Sequence, residues 1–188
     1  YVDQVRKSYG KKRVLKNMSF SIEKGKIVGF LGPNGCGKTT LVKLINGLMP
    51  VTDGVILVGG KKIGKETKAM VSYLPERTYL NNWMKVKDIL DFFEDLFEDF
   101  DRQRAEQMFS DMKIGLNEKL KNLSKGTKEK VQLVLVMSRQ ADLYILDEPI
   151  AGVDPAARSY IMKTILTNLP EESSLLIVTH LISDIETI

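Results

Sequence analysis

The stretch GFLGPNGCGKTT (29–40) places four glycines around one lysine and two threonines. Phosphate oxygens need several donors at short range, and backbone N–H groups supply them when the chain curls around the anion. Glycine permits that curl and leaves no Cβ in the way. Lys38 would add a full positive charge, and the Thr39 hydroxyl is a hard oxygen ligand that suits Mg²⁺. The stretch therefore predicts a site for the phosphates of a nucleotide.

Residues 32–39 match G-x-x-x-x-G-K-[ST], a motif that requires a strand before it and a helix after it. The run KIVGFLG (26–32) predicts a buried strand, and TTLVKLINGLM (39–49) repeats apolar residues at helical spacing. A helix beginning near Lys38 would point its first N–H groups at the phosphates. Because kinases, GTPases and motor ATPases share this motif, it indicates only that a nucleoside triphosphate is bound.

Two carboxylates and one histidine follow strand-like runs later in the chain. LYILDEP (143–149) ends in Asp147, which is predicted to reach Mg²⁺, and Glu148, which is predicted to polarise an attacking water. A solvated acidic pair is the alternative, but the glycine-rich loop favours hydrolysis. His180 is the single histidine and follows SLLIVT. A lone histidine is usually structural, yet its place at a strand end favours a donor to the γ-phosphate.

Strand and helix patterns alternate along much of the chain, which predicts an α/β domain with a mostly parallel sheet. Short strands are predicted at 54–60 and 70–75, and the alternating run at 14–25 predicts a half-exposed antiparallel strand. Residues 85–112 carry no strand signal. Their apolar residues recur at helical spacing with acids opposite.

We therefore predict a single domain, 1–188, with a catalytic core at 1–76 and 123–188 and an inserted helical subdomain at 77–122. The apolar stripe of the insert is predicted to form its own core, with a ligand or partner groove as the alternative. The stripe consists of Ile89, Phe92, Phe93, Leu96, Phe97 and Phe100.

Composition narrows the class of protein. The net charge of +4 suits contact with phosphates or an anionic membrane surface, although a solvated surface with extra lysines explains it equally well. One cysteine excludes a disulfide framework and fits a reducing cytosol. Apolar runs are far shorter than the roughly 20 residues of a membrane-spanning helix, and no secretory signal is expected.

LSKGTKEKVQL (123–133) precedes Asp147 by a short helical stretch, and here the sequence resembles the ATP-binding cassette (ABC) ATPases, whose signature is LSGGQ. The resemblance covers essentially the whole chain, with the motifs in family order. It implies a P-loop NTPase (RecA-like) core with an N-terminal antiparallel β subdomain and an inserted α-helical subdomain. Within the family, the chain looks most like the ATPases of bacterial drug or antibiotic-peptide exporters.

The resemblance also implies the functional residues. Nucleotide contacts are implied for Tyr9, Gly32, Asn34, Gly35, Cys36, Gly37, Lys38, Thr39, Thr40, Ser124 and Gly126. Metal contacts are implied for Thr39, Glu76 and Asp147. Catalytic roles are implied for Lys38, Glu148 and His180. AGVD (151–154) is similar to the family's D-loop.

The partners implied by the resemblance are a second ATPase subunit and an integral membrane permease. In the family, Ser124 and Gly126 would contact the ATP held by the other subunit, so that two Mg-ATP lie between two chains. The protein would then be cytoplasmic, on the inner face of the cell membrane, with no nucleic acid bound. Residues 76–84 would line the groove that receives the permease, although packing of Trp83 into the insert is an equal alternative.

Three positions depart from the family pattern. Glu76 replaces a glutamine, Lys125 a glycine and Thr127 a glutamine. A carboxylate at position 76 can contact Mg²⁺ at least as well as an amide. Lys125 either supports phosphate binding or points to solvent. Cys36 is interpreted as a small filler in the loop, the alternative being a reactive thiol.

Two other functions are alternatives to that of a transporter ATPase subunit. A soluble ABC-type ATPase acting on ribosomes or DNA usually has two cassettes or a long coiled coil, and neither is seen here. A different P-loop enzyme would leave LSKGT and His180 unexplained, and the N-K-x-D guanine motif is absent from the sequence.

Overall fold

The computed structural model describes residues 1–150 and 155–180, with side chains described up to 150 and from 158 onward. These residues form two sheets and six α-helices. The strands are β1 (Val2–Tyr9), β2 (Lys12–Phe20), β3 (Ile27–Leu31), β4 (Val55–Val58), β5 (Lys61–Lys62), β6 (Val71–Leu74), β7 (Leu143–Asp147) and β8 (Ser174–Thr179). The helices are α1 (Lys38–Ile45), α2 (Lys65–Met70), α3 (Val86–Leu96), α4 (Arg102–Asp111), α5 (Lys125–Met137) and α6 (Pro155–Thr167).

The N-terminal sheet is antiparallel, in the order β2-β1-β4-β5. The antiparallel strand predicted at 14–25 is confirmed as far as Phe20, but its burial alternates only from Asn17 to Phe20. β1 is missed by the sequence patterns, because the pairing shifts register between Val2 and Val5, where Gln4 has a φ of +48°. A bulge of this kind breaks the period-two alternation that marks a strand. Tyr9 is the last residue of β1.

The second sheet is parallel, in the order β3-β8-β7-β6. All four strands end at the same edge, where Leu31 pairs with Thr179 and Asp147 with Val178. The strand β3 was predicted to be buried, but it has one neighbour in the sheet and exposes Ile27 and Leu31. The central strands β7 and β8 are buried along almost their whole length.

The helical stretch predicted at 85–112 forms two helices, α3 and α4. α3 buries Val86, Ile89, Leu90 and Phe93, the spacing of one helix face. Phe92 and Leu96, which the sequence assigns to the core of the insert, are 52% and 55% exposed. The apolar stripe is wider than the face that α3 packs against its neighbours. Its buried members Ile89 and Phe93 belong to one core together with Leu146 of β7, so the prediction that the stripe forms a core of its own is wrong.

Arg139 fixes the base of the insert to the parallel sheet. Its buried guanidinium pairs with both carboxylate oxygens of Asp99 at 3.0 Å, and it donates to the carbonyls of Ala69 and Val71 at 2.7 Å. It also lies 4.0 Å from the ring centroid of Phe97. Because Val71 begins β6, this cluster ties the insert to the strand that leads to Glu76.

Within the described ranges, each helix is too short or too polar to cross a bilayer.

Candidate functional site

The glycine-rich loop runs from the end of β3 to the start of α1, as predicted. Gly37 has a φ of +105°, and a Cβ there would lie 2.8 Å from Leu15 Cδ2 and 3.2 Å from the carbonyl oxygen of Val14. Backbone conformation and space therefore both require glycine. No side chain caps α1, so its first N–H groups remain available to a ligand.

Lys38 is the first residue of α1 and is 6% exposed. Its Nζ donates to the carbonyls of Gly32 at 2.6 Å and Pro33 at 3.2 Å, and lies 3.8 Å from Glu148 Oε1. The loop therefore holds a buried cation against its own carbonyl groups. Anionic oxygens would be stronger partners for an ammonium group than these neutral carbonyls.

Asp147 ends β7 and is 1% exposed. Neither carboxylate oxygen has a hydrogen-bond partner of normal geometry among the described residues. Burial raises the pKa of Asp147 to about 6, the Thr39 hydroxyl opposes this rise, and the charges of Glu76 and Glu148 add to it. A buried carboxylate without partners is unfavourable unless a cation binds to it.

Glu148 has a φ of +53°, which is uncommon for a residue other than glycine. Its Oε2 accepts a hydrogen bond from Thr179 Oγ1 at 3.2 Å and lies 2.8 Å from His180 Nδ1. Since an ionised carboxylate only accepts, this second contact places a hydrogen on Nδ1. The end of β8 thus fixes the direction of the Glu148 side chain.

A cleft of about 430 Å³ at this edge of the parallel sheet brings together Lys38, Glu148 and His180, whereas Asp147 is not among its described lining residues. It is lined by Val14, Asn34, Gly35, Gly37, Lys38, Thr39, Thr40, Glu76, Glu148 and His180. Nine of these ten were predicted from the sequence. Val14, a β2 residue, carries no sequence signal for this site. Thr179, which contacts Glu148, was not predicted, although it lies beside His180 at a predicted strand end.

The signature residues and Tyr9 do not line this cleft. Ser124 caps α5, where its Oγ accepts a hydrogen bond from the Thr127 backbone at 3.1 Å. The side chain of Lys125 is 88% exposed, which favours the solvent-pointing alternative. The Tyr9 hydroxyl lies 3.3 Å from Met49 Sδ. The predicted D-loop at 151–154 lies outside the described residues.

A second cleft, of about 410 Å³, lies beside α3. Its lining includes Tyr79, Trp83, Met84 and Phe92. Trp83 is 70% exposed, so the alternative that it packs into the core of the insert is wrong. The remaining alternative, a groove open to a partner, agrees with this geometry.

The donor set at the sheet edge fits one magnesium ion bound together with a nucleotide. Asp147 offers unpartnered oxygens, and the Thr39 hydroxyl influences the same carboxylate. In the part of the chain that the structure describes, no three acidic, histidine or cysteine side chains are grouped to hold a metal ion. Mg²⁺ usually keeps several waters and takes one or two protein ligands plus phosphate oxygens, so few protein ligands suffice.

Comparison with known proteins gives one consistent result. Residues 15–151 match the family model described as ABC transporter. The linearmycin resistance ATP-binding protein LnrL of Bacillus subtilis (strain 168) is 31% identical, over 98% of this chain and 62% of LnrL. The manganese transport system ATP-binding protein MntB of the same organism is 34% identical, over 95% of this chain and 75% of MntB.

Solved structures agree with the sequence comparison. A structure of the ATP-binding subunit of an ABC transporter matches 98% of this chain and 80% of its own, with a TM-score of 0.88 and 27% identity. The predicted P-loop α/β fold is thereby confirmed. The chain spans less than two thirds of the length of LnrL.

Proposed function

The chain belongs to the ABC transporter family, and from this we propose that it binds and hydrolyses ATP to drive a separate membrane subunit. One observation carries the proposal. The glycine-rich loop, an unpartnered buried aspartate and a glutamate held by a histidine converge at one edge of a parallel sheet. ATP hydrolysis needs these three parts: a phosphate cradle, a metal ligand and a base.

The loop residues bind and orient the triphosphate. Lys38 Nζ leaves the carbonyls of Gly32 and Pro33 and pairs with phosphate oxygens, while the free N–H groups of α1 face the same anion. Asp147 and Thr39 would hold Mg²⁺, with Glu76 as the third predicted contact. When bound, Mg²⁺ neutralises charge on the β- and γ-phosphates.

Glu148 accepts the proton of the attacking water. Its Oε2 is already engaged by Thr179 and His180, which leaves Oε1 as the oxygen that faces Lys38 and the cleft. Since Nδ1 of His180 donates to Glu148, Nε2 donates to a γ-phosphate only when the imidazole is protonated. His180 therefore positions Glu148 through Nδ1, and Nε2 is the ring nitrogen left for the γ-phosphate.

We propose that the active form is a dimer, because the signature residues are not in the cleft that holds the loop. Ser124 and Gly126 stand at the exposed start of α5. A second subunit would bring its own copies of these residues to the γ-phosphate, with two Mg-ATP held between the chains. Loss of the γ-phosphate then removes the bridging charge and lets the subunits separate.

The membrane partner is proposed to dock in the cleft beside α3, which would place the protein at the inner face of the membrane. Exposed aromatic side chains such as Trp83 and Phe92 are typical of interface anchors. Export is part of this proposal, because LnrL is named for linearmycin resistance and removal of a compound from the cell would give resistance, whereas MntB is named for manganese transport. The ribosome or DNA alternative has no support among the relatives described above.

The proposal is tested first by ATP hydrolysis. The purified chain should hydrolyse ATP only with Mg²⁺, and Lys38→Ala should abolish this activity. A Mg²⁺-independent rate, or a Lys38→Ala variant as active as the wild type, would contradict it.

The membrane partner is tested by a photo-crosslinker at position 83 in the source cells, with the same crosslinker at the exposed Lys113 as control. We expect position 83 alone to form an adduct with an integral membrane protein. Adducts confined to ribosomal or DNA-bound proteins would instead support the soluble mechanical ATPase.

A further inference from the structure

A third cleft, of about 830 Å³, lies at the far end of α1 from the phosphate loop. Its walls come from the segment that follows α1, from β4 and from the segment 62–68 of β5 and α2. Its described lining shares no residue with the candidate ATP site or with the cleft beside α3. It adjoins the predicted nucleotide contacts at Met49, whose Sδ lies 3.3 Å from the Tyr9 hydroxyl, and the proposed function assigns its lining residues no role.

The wall of this cleft is largely apolar. Its apolar lining residues are Leu48, Met49, Pro50, Val51, Val55, Ile56 and Ile63. Leu48 is 60% exposed and Val55 is 42% exposed, whereas Ile56 of the same wall is buried. Exposed apolar groups that cluster in a concave surface are typical of binding sites rather than of free surface.

The polar lining is cationic. Lys62, Lys65 and Lys68 line the cleft, and no acidic residue lies among its described lining residues. The nearby Glu66 is paired with Lys61. Within the described residues, the three lining lysines form no ion pair or side-chain hydrogen bond. We name this surface the lysine cleft. Its unpaired cations around an apolar wall call for an occupant that is both acidic and apolar.

We propose that the lysine cleft docks an acidic amphipathic helix of another protein. Lys65 and Lys68 stand three residues apart on α2, so acids one turn apart on a facing helix can pair with them. The chain itself shows this chemistry, because Asp91 and Glu94, three apart on α3, both bind Arg102 at 2.7 Å. Apolar residues between the acids of the occupant would lie on the apolar wall.

The shape of the surface favours a helix over a bilayer. A membrane surface is flat on this scale, whereas this surface is an open concave cleft of about 830 Å³. A convex segment such as a helix reaches the apolar wall and the lysines together.

The test uses the full chain and a fluorescein-labelled peptide of roughly 15 residues, a length at which an isolated helix begins to be stable. The peptide carries Glu pairs at i,i+4 and Leu between them, and a control peptide has Gln in place of every Glu. Anisotropy at about 0.01 M salt, where surface charge is least screened, should show saturable binding of the Glu peptide only. Lys62→Gln, Lys65→Gln and Lys68→Gln together should weaken binding by about tenfold.

A matched control replaces Lys113, Lys119 and Lys121, three exposed lysines outside the cleft, by Gln. This variant should bind the Glu peptide as the wild type does, apart from the small effect of net charge. Both triple variants should hydrolyse ATP at the wild-type rate, so a failure here is separable from a failure of the proposed function.

Three outcomes would overturn the proposal. The first is absence of saturable peptide binding, or binding that both triple variants weaken equally. The second is binding of the chain to anionic phospholipid vesicles through the same three lysines, with none to the peptide. The third is self-association, without peptide, that the cleft variant alone abolishes, which would make the occupant a second copy of this chain.

Discussion

Two regions of the molecule treat their side chains in opposite ways. At the edge of the parallel sheet, Lys38, Asp147 and Glu148 are charged or titratable groups held almost entirely out of water. On the outer face of the insert, the large apolar side chains of Trp83 and Phe92 are exposed to solvent. Each arrangement opposes the usual tendency of charges to be exposed and apolar groups to be buried.

The difference shows what each region still needs. At the sheet edge, backbone and side-chain contacts already fix the direction of Lys38 and Glu148, so a small ligand completes the arrangement. The apolar side chains on the outer face of the insert remain exposed, and a partner surface would cover them. The first region is therefore preorganised for chemistry, and the second for association.

Among the variants that test this contrast, the largest effect is expected from removing the base at the sheet edge. Glu148→Gln keeps the size of the side chain but cannot accept the proton of water. We expect hydrolysis to fall by about 10³-fold, within the range for loss of a general base. ATP binding should persist, and ATP-dependent dimers should appear on a sizing column. Turnover at the wild-type rate would remove Glu148 from the role of base.

A smaller effect is expected from the backbone of the loop. Gly37→Ala adds a Cβ 2.8 Å from Leu15 Cδ2 at a φ of +105°. Left-handed strain and overlap together should lower the free energy of unfolding by about 2 to 4 kcal/mol and weaken ATP binding. Urea denaturation and nucleotide titration measure the two effects.

Gly60→Ala is the matched control for this variant. Gly60 has a φ of +76°, but no atom lies within 4 Å of its Cβ position, and it is outside the candidate site. The Gly60→Ala variant should lose about 1 kcal/mol of unfolding free energy through backbone strain alone, and it should bind ATP normally. Equal loss of ATP binding in both variants would show that general destabilisation, rather than the shape of the loop, is responsible.

The buried carboxylate predicts a pH dependence of stability. Because the pKa of Asp147 is raised to about 6 from an unfolded value of 3.8, the native state binds the proton more tightly than the unfolded state. The protonated Asp147 therefore contributes favourably to the free energy of unfolding below pH 4, and this contribution is lost as pH rises through 6. Asp147→Asn should therefore stabilise the ligand-free chain by about 1 to 2 kcal/mol at pH 8, and by little at pH 4.

Denaturation of wild type and variant across this pH range measures the effect. Asp142→Asn, an exposed carboxylate just before the other end of β7, is the control and should change little. Adding Mg-ATP at pH 8 should stabilise the wild type more than Asp147→Asn. A pH-independent difference between the two would contradict the raised pKa.

The sequence predicts the sheet edge well because its signals are local. The glycine pattern requires a loop between a strand and a helix, and parallel strands end at one edge, which brings Glu148 and His180 to the loop. β1 escapes prediction because the bulge at Gln4 disrupts its alternation. Val14 escapes because its contact with Gly37 depends on how the two sheets pack.

The insert is predicted less well because its signal depends on neighbours that a helical pattern does not reveal. Hydrophobic spacing identifies α3 but not how wide a face is covered, so Phe92 and Phe93 look equivalent in sequence. In the structure, Phe93 packs beside Phe97 and Phe100 at ring centroid distances of 5.4 and 5.7 Å, whereas Phe92 is half exposed. Burial on an inserted helix is set by tertiary packing.

The smallest expected effect sharpens the same contrast between these adjacent residues. Phe92→Ala removes an exposed ring, so the free energy of unfolding should change by less than about 0.5 kcal/mol. The basal rate of ATP hydrolysis should also change little. Phe93→Ala, its matched control, empties a buried site and should cost about 3 kcal/mol. If Phe92 serves association, its loss should appear only as weaker crosslinking from position 83 in cells. A Phe92→Ala variant that unfolds as readily as Phe93→Ala would mean that the outer face is part of the core, and the contrast between the two regions would no longer hold.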